Sequence, residues 1–431
     1  MKKKFREYIT SYFWYFARSY LVKYKVYCIG VTGSFGKSST VDAIYQILKD
    51  TVNVKKTINA NSEIGIPLDV FGFHTHGDIL EMLKYVIILP IKYITSKKKF
   101  DVYVIEMGVD HPGDMEYLMN KIPLDIGILV SIGKVHTENF NGEDREHEIY
   151  KEKSKIITML QPGGRGIINA DIPYANDIRV ENIIKISTKD NNLKYYAYDI
   201  QNTEEGFSMK TNDISLNLPN YILTKSYAYN FLSALAVGDI FEIDKEKQKK
   251  SISNFKLPPS RMTLFNGIKK SKVIDSSYNA SANPTIEILQ TISHMKFQRK
   301  IFVFGDMREL GQDSKKEHER VAQEAVKDID YIITIGEMTK KYFIPEAIRL
   351  GFDKNKIKSF ENSPQASEFI KGIIREKDLI IVKGSQNEIF TEIVVENIIN
   401  DNKNLICRRG KYWEAQRQKS IKPLIKISYN H

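Results

Sequence analysis

Cysteine is almost missing from this chain: two in 431 residues, Cys28 and Cys407, each in or beside an apolar segment. Two thiols so far apart make no disulfide framework, so a reducing compartment is expected and the cytoplasm is the default location. Long apolar runs are missing too. The most apolar candidate, Ile79 to Ile94, is interrupted by Glu81, Lys84 and Lys92, well short of the ~20 apolar residues that a spanning helix needs. The N-terminal stretch lacks the unbroken apolar core and small-residue cleavage site of a secretory signal. Low-complexity tracts and internal repeats are absent, which excludes solenoids and linker-rich scaffolds. What remains is a globular chain whose length suits two or three domains, with a hydrophobic fraction of 42% that suffices for a core in each.

Acidic charge is scarce only at the two ends. Residues 1 to 25 carry seven Lys/Arg and one Glu, and so do residues 407 to 431, so the ends contribute +12 to a net charge of +11 and the body sums to 11 − 12 = −1. Nucleic-acid binding would place its charge on a folded face with aromatics between the basic residues, so no nucleic acid is expected. Phe5, Ile9, Tyr12, Phe13, Phe16 and Tyr20 recur at helical spacing and predict an amphipathic helix over residues 1–24 with basic flanks. Two readings are open: the helix lies on an anionic membrane surface, or it packs its apolar face on its own domain and leaves the lysines solvated.

The most informative stretch is Gly30 to Thr40, GVTGSFGKSST, where an apolar run (Val26 to Val31) hands over to a helical pattern (Lys37 to Leu48). Strand, glycine loop and helix make a phosphate cradle. Gly33 and Gly36 remove side-chain bulk, so the backbone N–H groups of Gly33, Ser34, Phe35, Gly36 and the first helical turn, including Ser39, can face phosphate oxygens. Lys37 can reach the terminal phosphates and the Ser38 hydroxyl can hold Mg2+. Val31 stands where the general pattern wants the first glycine, so the loop is a shortened form, T-G-x-x-G-K-S.

Val- and Ile-rich runs alternate with helical patterns: Val102–Ile105, Ile126–Val130, 166–168, Val273–Ile274, Ile301–Phe304, Tyr331–Ile335 and Leu379–Val382. The alternation predicts an α/β protein with mostly parallel sheets covered by helices. Polar segments between Lys185 and Pro219 predict an antiparallel excursion at one edge. Leu257-Pro258-Pro259-Ser260 reads as a stiff hinge, which divides a central domain, residues 25–257, from a second at 258–415 and a basic tail at 416–431. Glu106 follows one strand and His136 another, where open α/β sheets place ligands. Taken alone, the glutamate is explained as a helix cap and the histidine as a loop residue.

Eight segments occur in one order: TGSFGKSS; NANSEIGIPL at 59–68; EMGVDHPGDM from Glu106; GKVHTENF; NAD at 169–171; DSSYNASANP from Asp275; GDMRELG at 305–311 with His318; and KGS from Lys383. Over about residues 25 to 415 the chain resembles the Mur ligases, most of all their D-alanyl-D-alanine-adding members. The resemblance implies a central ATPase domain and a C-terminal Rossmann-like α/β domain. It also implies ATP-driven amide synthesis, in which the carboxylate of a muramyl peptide is phosphorylated and D-alanyl-D-alanine attacks the acyl phosphate. Lys37 would offset charge on the transferring phosphate, and Ser38 with Glu106 would hold one Mg2+. Glu106, His136 and a carbamylated lysine would serve a second. Alignment onto the family pattern selects Lys153 in IYKEKSKII, with Lys151 and Lys155 as near alternatives; carbamylation turns a cationic amine into an anionic oxygen donor, which suits Mg2+. The same resemblance puts Asn230 near the adenine and Arg261 and Asp275 at phosphate and ribose. Asn61, Tyr278, Asn279, Asp306 and Lys383 would line the substrate cleft, which closure about the hinge completes.

Family members usually begin with a domain that holds the uridine nucleotide of the muramyl peptide, whereas about 30 residues precede the phosphate loop here. The expected consequence is an acceptor held by the other two domains, or a lipid-linked or otherwise modified one. A kinase or motor would share Lys37 and Ser38 but not a carbamylatable lysine, and a non-catalytic scaffold would have shed Lys37, Glu106 or His136. A glutamate-adding or pseudomurein-type ligase is the runner-up.

Overall fold

The β-branched runs form strands buried on both faces, which is why they read as continuous rather than alternating apolar segments. The computed structural model describes the chain except residues 1, 59, 76–78, 136, 141, 143, 204–205, 220, 386–387, 402 and 422–431, and except the side chains of 2–5, 79–80 and 421. Two compact units emerge: residues 1–201, 208–217 and 226–256, and residues 202–207, 218–225 and 257–431.

Among the described residues nine strands form the first sheet: β1 (Tyr27–Thr32), β2 (Val54–Lys56), β3 (Val102–Glu106), β4 (Leu124–Leu129), β5 (Arg165–Asn169), β6 (Ile183–Ser187), β7 (Tyr195–Thr203), β8 (Gly206–Thr211) and β9 (Ser215–Pro219). Their spatial order is β2-β3-β1-β4-β5-β6-β7-β8-β9, and every pairing from β2 through β7 is parallel. The connections from β7 to β8 and β8 to β9 are too short for a crossover, so the far edge is the antiparallel excursion expected from its polar sequence. Strand β1 lies between β3 and β4, and the order in which strands are added reverses there, which opens a crevice at the C-terminal ends of these parallel strands. The second sheet holds β10 (Thr263–Asn266), β11 (Lys272–Ser276), β12 (Arg299–Gly305), β13 (Tyr331–Ile335), β14 (Ile357–Phe360) and β15 (Asp378–Lys383) in the order β10-β11-β15-β12-β13-β14. Only β10 runs antiparallel. The α/β architecture with two largely parallel sheets is therefore as the alternation of runs implied.

In the first unit the α-helices among the described residues are α1 (Lys2–Lys23), α2 (Lys37–Leu48), α3 (Gly65–Val70), α4 (Ile79–Thr95), α5 (Asp114–Lys121), α6 (Arg145–Thr158), α7 (Tyr227–Ile240) and α8 (Lys245–Ser253). Helix α1 turns its apolar stripe inward: Ile9, Phe13 and Tyr20 are buried with Trp14, Ala17 and Leu21 in one core cluster, against which Tyr12 and Phe16 pack. Polar anchors fix the docking. Trp14 donates its Nε1–H to the Glu63 carbonyl at 2.8 Å, and the hydroxyls of Tyr20 and Tyr24 reach the carbonyls of Lys97 and Ser96 at 3.2 and 2.6 Å. Helix α4 carries Pro90 in its interior, which leaves the carbonyl four residues earlier, on Val86, without its helical donor. The Tyr12 hydroxyl of α1 supplies the replacement at 3.1 Å.

Candidate active site

Gly36 caps α2 with φ of +82°, a left-handed conformation that glycine adopts without strain. A Cβ there would also stand 3.0 Å from the Asn230 side-chain oxygen, and one on Gly33 would stand 2.9 Å from the Ser131 hydroxyl. The loop between them is tied down from both sides. Ser34 donates its N–H to the Ser131 carbonyl (3.0 Å) and its hydroxyl to the Gly133 carbonyl (2.9 Å), while Phe35 N–H donates to the Ser131 hydroxyl (2.9 Å). The Thr40 hydroxyl reaches the Asn230 carbonyl oxygen at 3.0 Å, and Ser39 lies 3.4 Å from the Tyr227 hydroxyl. Asn230 is thus buried under the loop and braces it, at the position where the family pattern implied the base contact. Lys37 folds back so that its Nζ donates to the Gly33 carbonyl at 2.9 Å, closing the loop into the ring that a polyphosphate would enter.

Glu106 ends β3 opposite Val31 of β1, and its N–H is held by the Thr57 hydroxyl at 2.9 Å. That register delivers its carboxylate to the first turn of α2, where it accepts the Ser38 hydroxyl at 2.6 Å. The two expected Mg2+ ligands are therefore together. They are hard oxygen donors, and such a pair binds Mg2+ when phosphate oxygens and water fill the remaining positions. Among the described residues no cluster of three His, Cys, Asp or Glu side chains forms. His136 lies outside the described residues. Asn61 is nearby: its carbonyl accepts the Gly108 N–H at 2.8 Å, two residues past Glu106.

Helix α6 sorts the three candidate lysines. Lys151 is exposed, and Lys155 is engaged with Glu152 (2.9 Å) and Glu116 (3.1 Å), which raise its pKa. Lys153 is 1% exposed and donates to the Val109 carbonyl at 3.1 Å, in the loop that follows Glu106. Burial, and next the positive charge of Lys37, lower its pKa to about 7, against the opposing pull of Asp110, Glu152 and Asp114. A buried amine, half neutral near pH 7 and facing another cation, is in the chemical state that can attack carbon dioxide.

The second unit gathers its own cluster at the C-terminal ends of β11, β15 and β12. The register pairs Ser276 with Lys383 and Lys383 with Phe304. Lys383 is buried and donates to Ser276 (Oγ, 3.2 Å) and to the Asn279 carbonyl. Burial and then Arg261 lower its pKa to about 7. Asp275 accepts the hydroxyls of Ser277 (2.6 Å) and Ser260 (2.7 Å), and burial raises its pKa to about 6. The Arg261 guanidinium stacks 4.0 Å above the Tyr278 ring. Asn279 is exposed at the same strand end. Asp306 accepts the N–H groups of Met338 (3.0 Å) and Thr339 (2.7 Å) and the Thr339 hydroxyl (2.9 Å), which pins the next loop.

Sequence reading missed Arg408. It makes a buried ion pair with Glu392 at 3.0 Å, donates to the Tyr278 carbonyl and lies 5.2 Å from that ring's centroid. In sequence it is one basic residue in a charged tail, and nothing in its neighbours marks it as buried. Ser131, which organises the phosphate loop, is equally silent inside VSIG.

Residues 31–238 match the model of the Mur ligase middle domain and residues 260–386 that of the Mur ligase glutamate ligase domain. The chain belongs to the Mur ligase family. It is similar over 391 residues, at 27% identity, to the UDP-N-acetylmuramoyl-tripeptide–D-alanyl-D-alanine ligase of Bacillus subtilis, covering 89% of this chain and 78% of that one. The enzyme of the same description from Escherichia coli is 24% identical over 380 residues, with 85% and 75% covered. Among solved structures, MurF ligase from Thermotoga maritima in complex with ADP superposes with a TM-score of 0.72 at 22% identity, over 90% of this chain and 83% of that one. The two matched family segments contain the phosphate loop, Glu106 and Lys153 in the first and Arg261, Asp275, Tyr278 and Lys383 in the second.

Proposed function

We propose that this Mur ligase is ATP-dependent and ADP-forming, and joins D-alanyl-D-alanine to the free carboxylate of a muramyl tripeptide in peptidoglycan precursor synthesis. The observation that carries the reading is the convergence of Lys37, Ser38, Glu106 and the buried Lys153 around one glycine loop, in a chain similar to D-alanyl-D-alanine ligases over most of its length. The acceptor carboxylate attacks the γ-phosphorus and ADP departs; the amine then attacks the acyl carbon, and phosphate leaves as the amide forms. Lys37 moves from the Gly33 carbonyl to the transferring phosphoryl group and offsets its charge. Ser38 and Glu106 would hold Mg2+, which would supply further positive charge at the phosphate oxygens. Lys153, if carbamylated at its neutral amine, would offer an oxygen anion to a second metal position, for which the family resemblance also implies His136, and its negative charge would turn the repulsion between Lys153 and Lys37 into attraction.

Arg261 and Asp275 serve the nucleotide's phosphate and ribose, and Tyr278, Asn279 and Lys383 the incoming amine. Lys383 suits that task because its depressed pKa lets it take a proton from an attacking ammonium near neutral pH. Asn61 stands at the acceptor's side. The reaction belongs in the cytoplasm, where ATP is available. The buried Cys28 and Cys407 stay reduced there: burial raises the pKa of both thiols, that of Cys407 to about 12.

The test is one incubation with ATP, Mg2+, D-alanyl-D-alanine and muramyl tripeptide, with and without its uridine diphosphate, read by mass spectrometry. Pentapeptide supports the reading, and its dependence on the nucleotide shows how the acceptor is held. ATP turnover with no new amide, or with only glutamate accepted, overturns it.

A further inference from the structure

The apolar stripe of α1 expected to meet a membrane is buried, yet the opposite side of the same helix is not polar. Tyr8, Tyr15 and Val22, spaced seven apart, are 76%, 67% and 56% exposed. Seven-residue spacing keeps them on one line along the helix. Helix α4, docked alongside through Tyr12 on Val86 and Phe16 on Tyr93 at 5.6 Å, repeats the pattern. Its Met82, Tyr85 and Leu89 are buried, while Leu83, Ile87, Ile91 and Ile94 are 43%, 71%, 61% and 76% exposed at spacings of four, four and three. More than half of the large exposed apolar side chains among the described residues sit on these two helices. Scattered singly they would need no explanation; two such stripes on helices packed against each other do.

The surroundings of the patch are basic. Residues 79–99 carry Lys84, Lys92 and the run Lys97–Lys99 against the single acid Glu81, whose carboxylate is engaged by the Thr75 hydroxyl at 2.8 Å. Lys2–Lys4 open α1, and Lys23 and Lys25 close it. The nearby acids are few, Glu7 on α1, Glu63 paired with Arg6 and Asp101 paired with Lys98, and a protein partner of ordinary composition has no reason to match aliphatic ridges with so large an excess of cations. A bilayer with anionic headgroups matches both: the aliphatic side chains enter the acyl boundary while the lysines remain at phosphate level. No helix among the described residues is long and apolar enough to cross a membrane, so the mode is attachment in the plane of the interface.

We propose that the paired α1–α4 face is a docking surface for anionic phospholipid bilayers. The surface lies outside the glycine-loop site and stands independently of the ligase reading.

The test uses the full chain with vesicles of equal parts phosphatidylglycerol and phosphatidylcholine, and with phosphatidylcholine alone, in co-sedimentation at low and high salt. The expected result is binding to the anionic vesicles, weakened several-fold by salt because the lysine contribution is screened. Ile87→Ser/Ile91→Ser/Ile94→Ser should lose about tenfold or more in partitioning, from the apolar area withdrawn. Lys97→Gln/Lys98→Gln/Lys99→Gln should lose a similar factor on anionic vesicles only. All the replaced side chains are at the surface, so thermal melts should match the parent chain and exclude misfolding. Three results would overturn the proposal: the parent chain stays in the supernatant at low salt; the isoleucine variant binds as the parent does; or sedimentation velocity shows a dimer abolished by that variant while vesicles have no effect, which would make the face a self-association surface.

Discussion

Replacing Lys153 by alanine should abolish ligation, and short carboxylic acids added to the buffer should restore part of it by entering the space as substitute oxygen donors. The magnitude of selectivity among the lysines follows from the shifted amine. With a pKa of about 7, about three quarters of Lys153 is neutral at pH 7.5, against about 0.1% of an ordinary lysine. Carbamate should therefore form there with a several-hundred-fold preference. The sign with pH is fixed by the reacting species: the neutral amine attacks carbon dioxide, so occupancy falls as pH drops through about 7, to roughly a tenth neutral at pH 6. The assay is 13C NMR of the protein equilibrated with labelled bicarbonate, run in parallel with activity. One carbamate resonance is expected in the parent chain, none in Lys153→Ala, and a decline between pH 8 and 6. A resonance that survives the substitution, or full activity in the variant without added acid, refutes the reasoning.

Further outcomes follow from the same geometry. Lys153→Met should fold at least as stably as the parent, and its stability should lack the rise with pH between about 7 and 10 that the parent shows, because there the unfolded lysine binds a proton that the folded one has lost; denaturant titrations at several pH values read this. Glu106→Gln should lower Mg2+-dependent turnover about a hundredfold, with the apparent Mg2+ requirement raised and the melting temperature unchanged. Gly36→Ala should cost about 1–2 kcal/mol in backbone strain and cut ADP affinity at least tenfold in calorimetry. Arg408→Ala leaves the buried Glu392 with only the longer Arg417 pair at 3.5 Å and should destabilise the second unit by about 3 kcal/mol, seen as an early transition in urea.

The parts legible in the sequence were those whose signal is local. Gly33, Gly36, Lys37 and Ser38 announce a phosphate loop because backbone geometry demands those residues at that spacing, and strands such as Ile301–Phe304 announce themselves by unbroken apolar runs. Short strands such as Val54–Lys56 and Ile357–Phe360 escape because three or four residues carry too little pattern. Partners at long range were hidden for a different reason. The periodicity of α1 shows that it has an apolar face but not what covers it, and the answer came from α4, where Pro90 created the unsatisfied carbonyl that Tyr12 fills. The loop-bracing work of Asn230 and Asp306 is not written in the sequence, because exposed and buried polar residues look alike there; it shows only through their partners, Thr40 in one case and Met338 and Thr339 in the other. Arg408 is invisible for the converse reason, since a cation in a basic tail gives no sign that Glu392 waits for it.

The central claim is that ATP cleavage activates a carboxyl group, and its most direct measurement is isotope transfer. With the acceptor carboxylate labelled in 18O, each amide formed should release one phosphate carrying a single 18O atom. Unlabelled phosphate accompanying amide formation, or phosphate released at the same rate with no amine present, would contradict it.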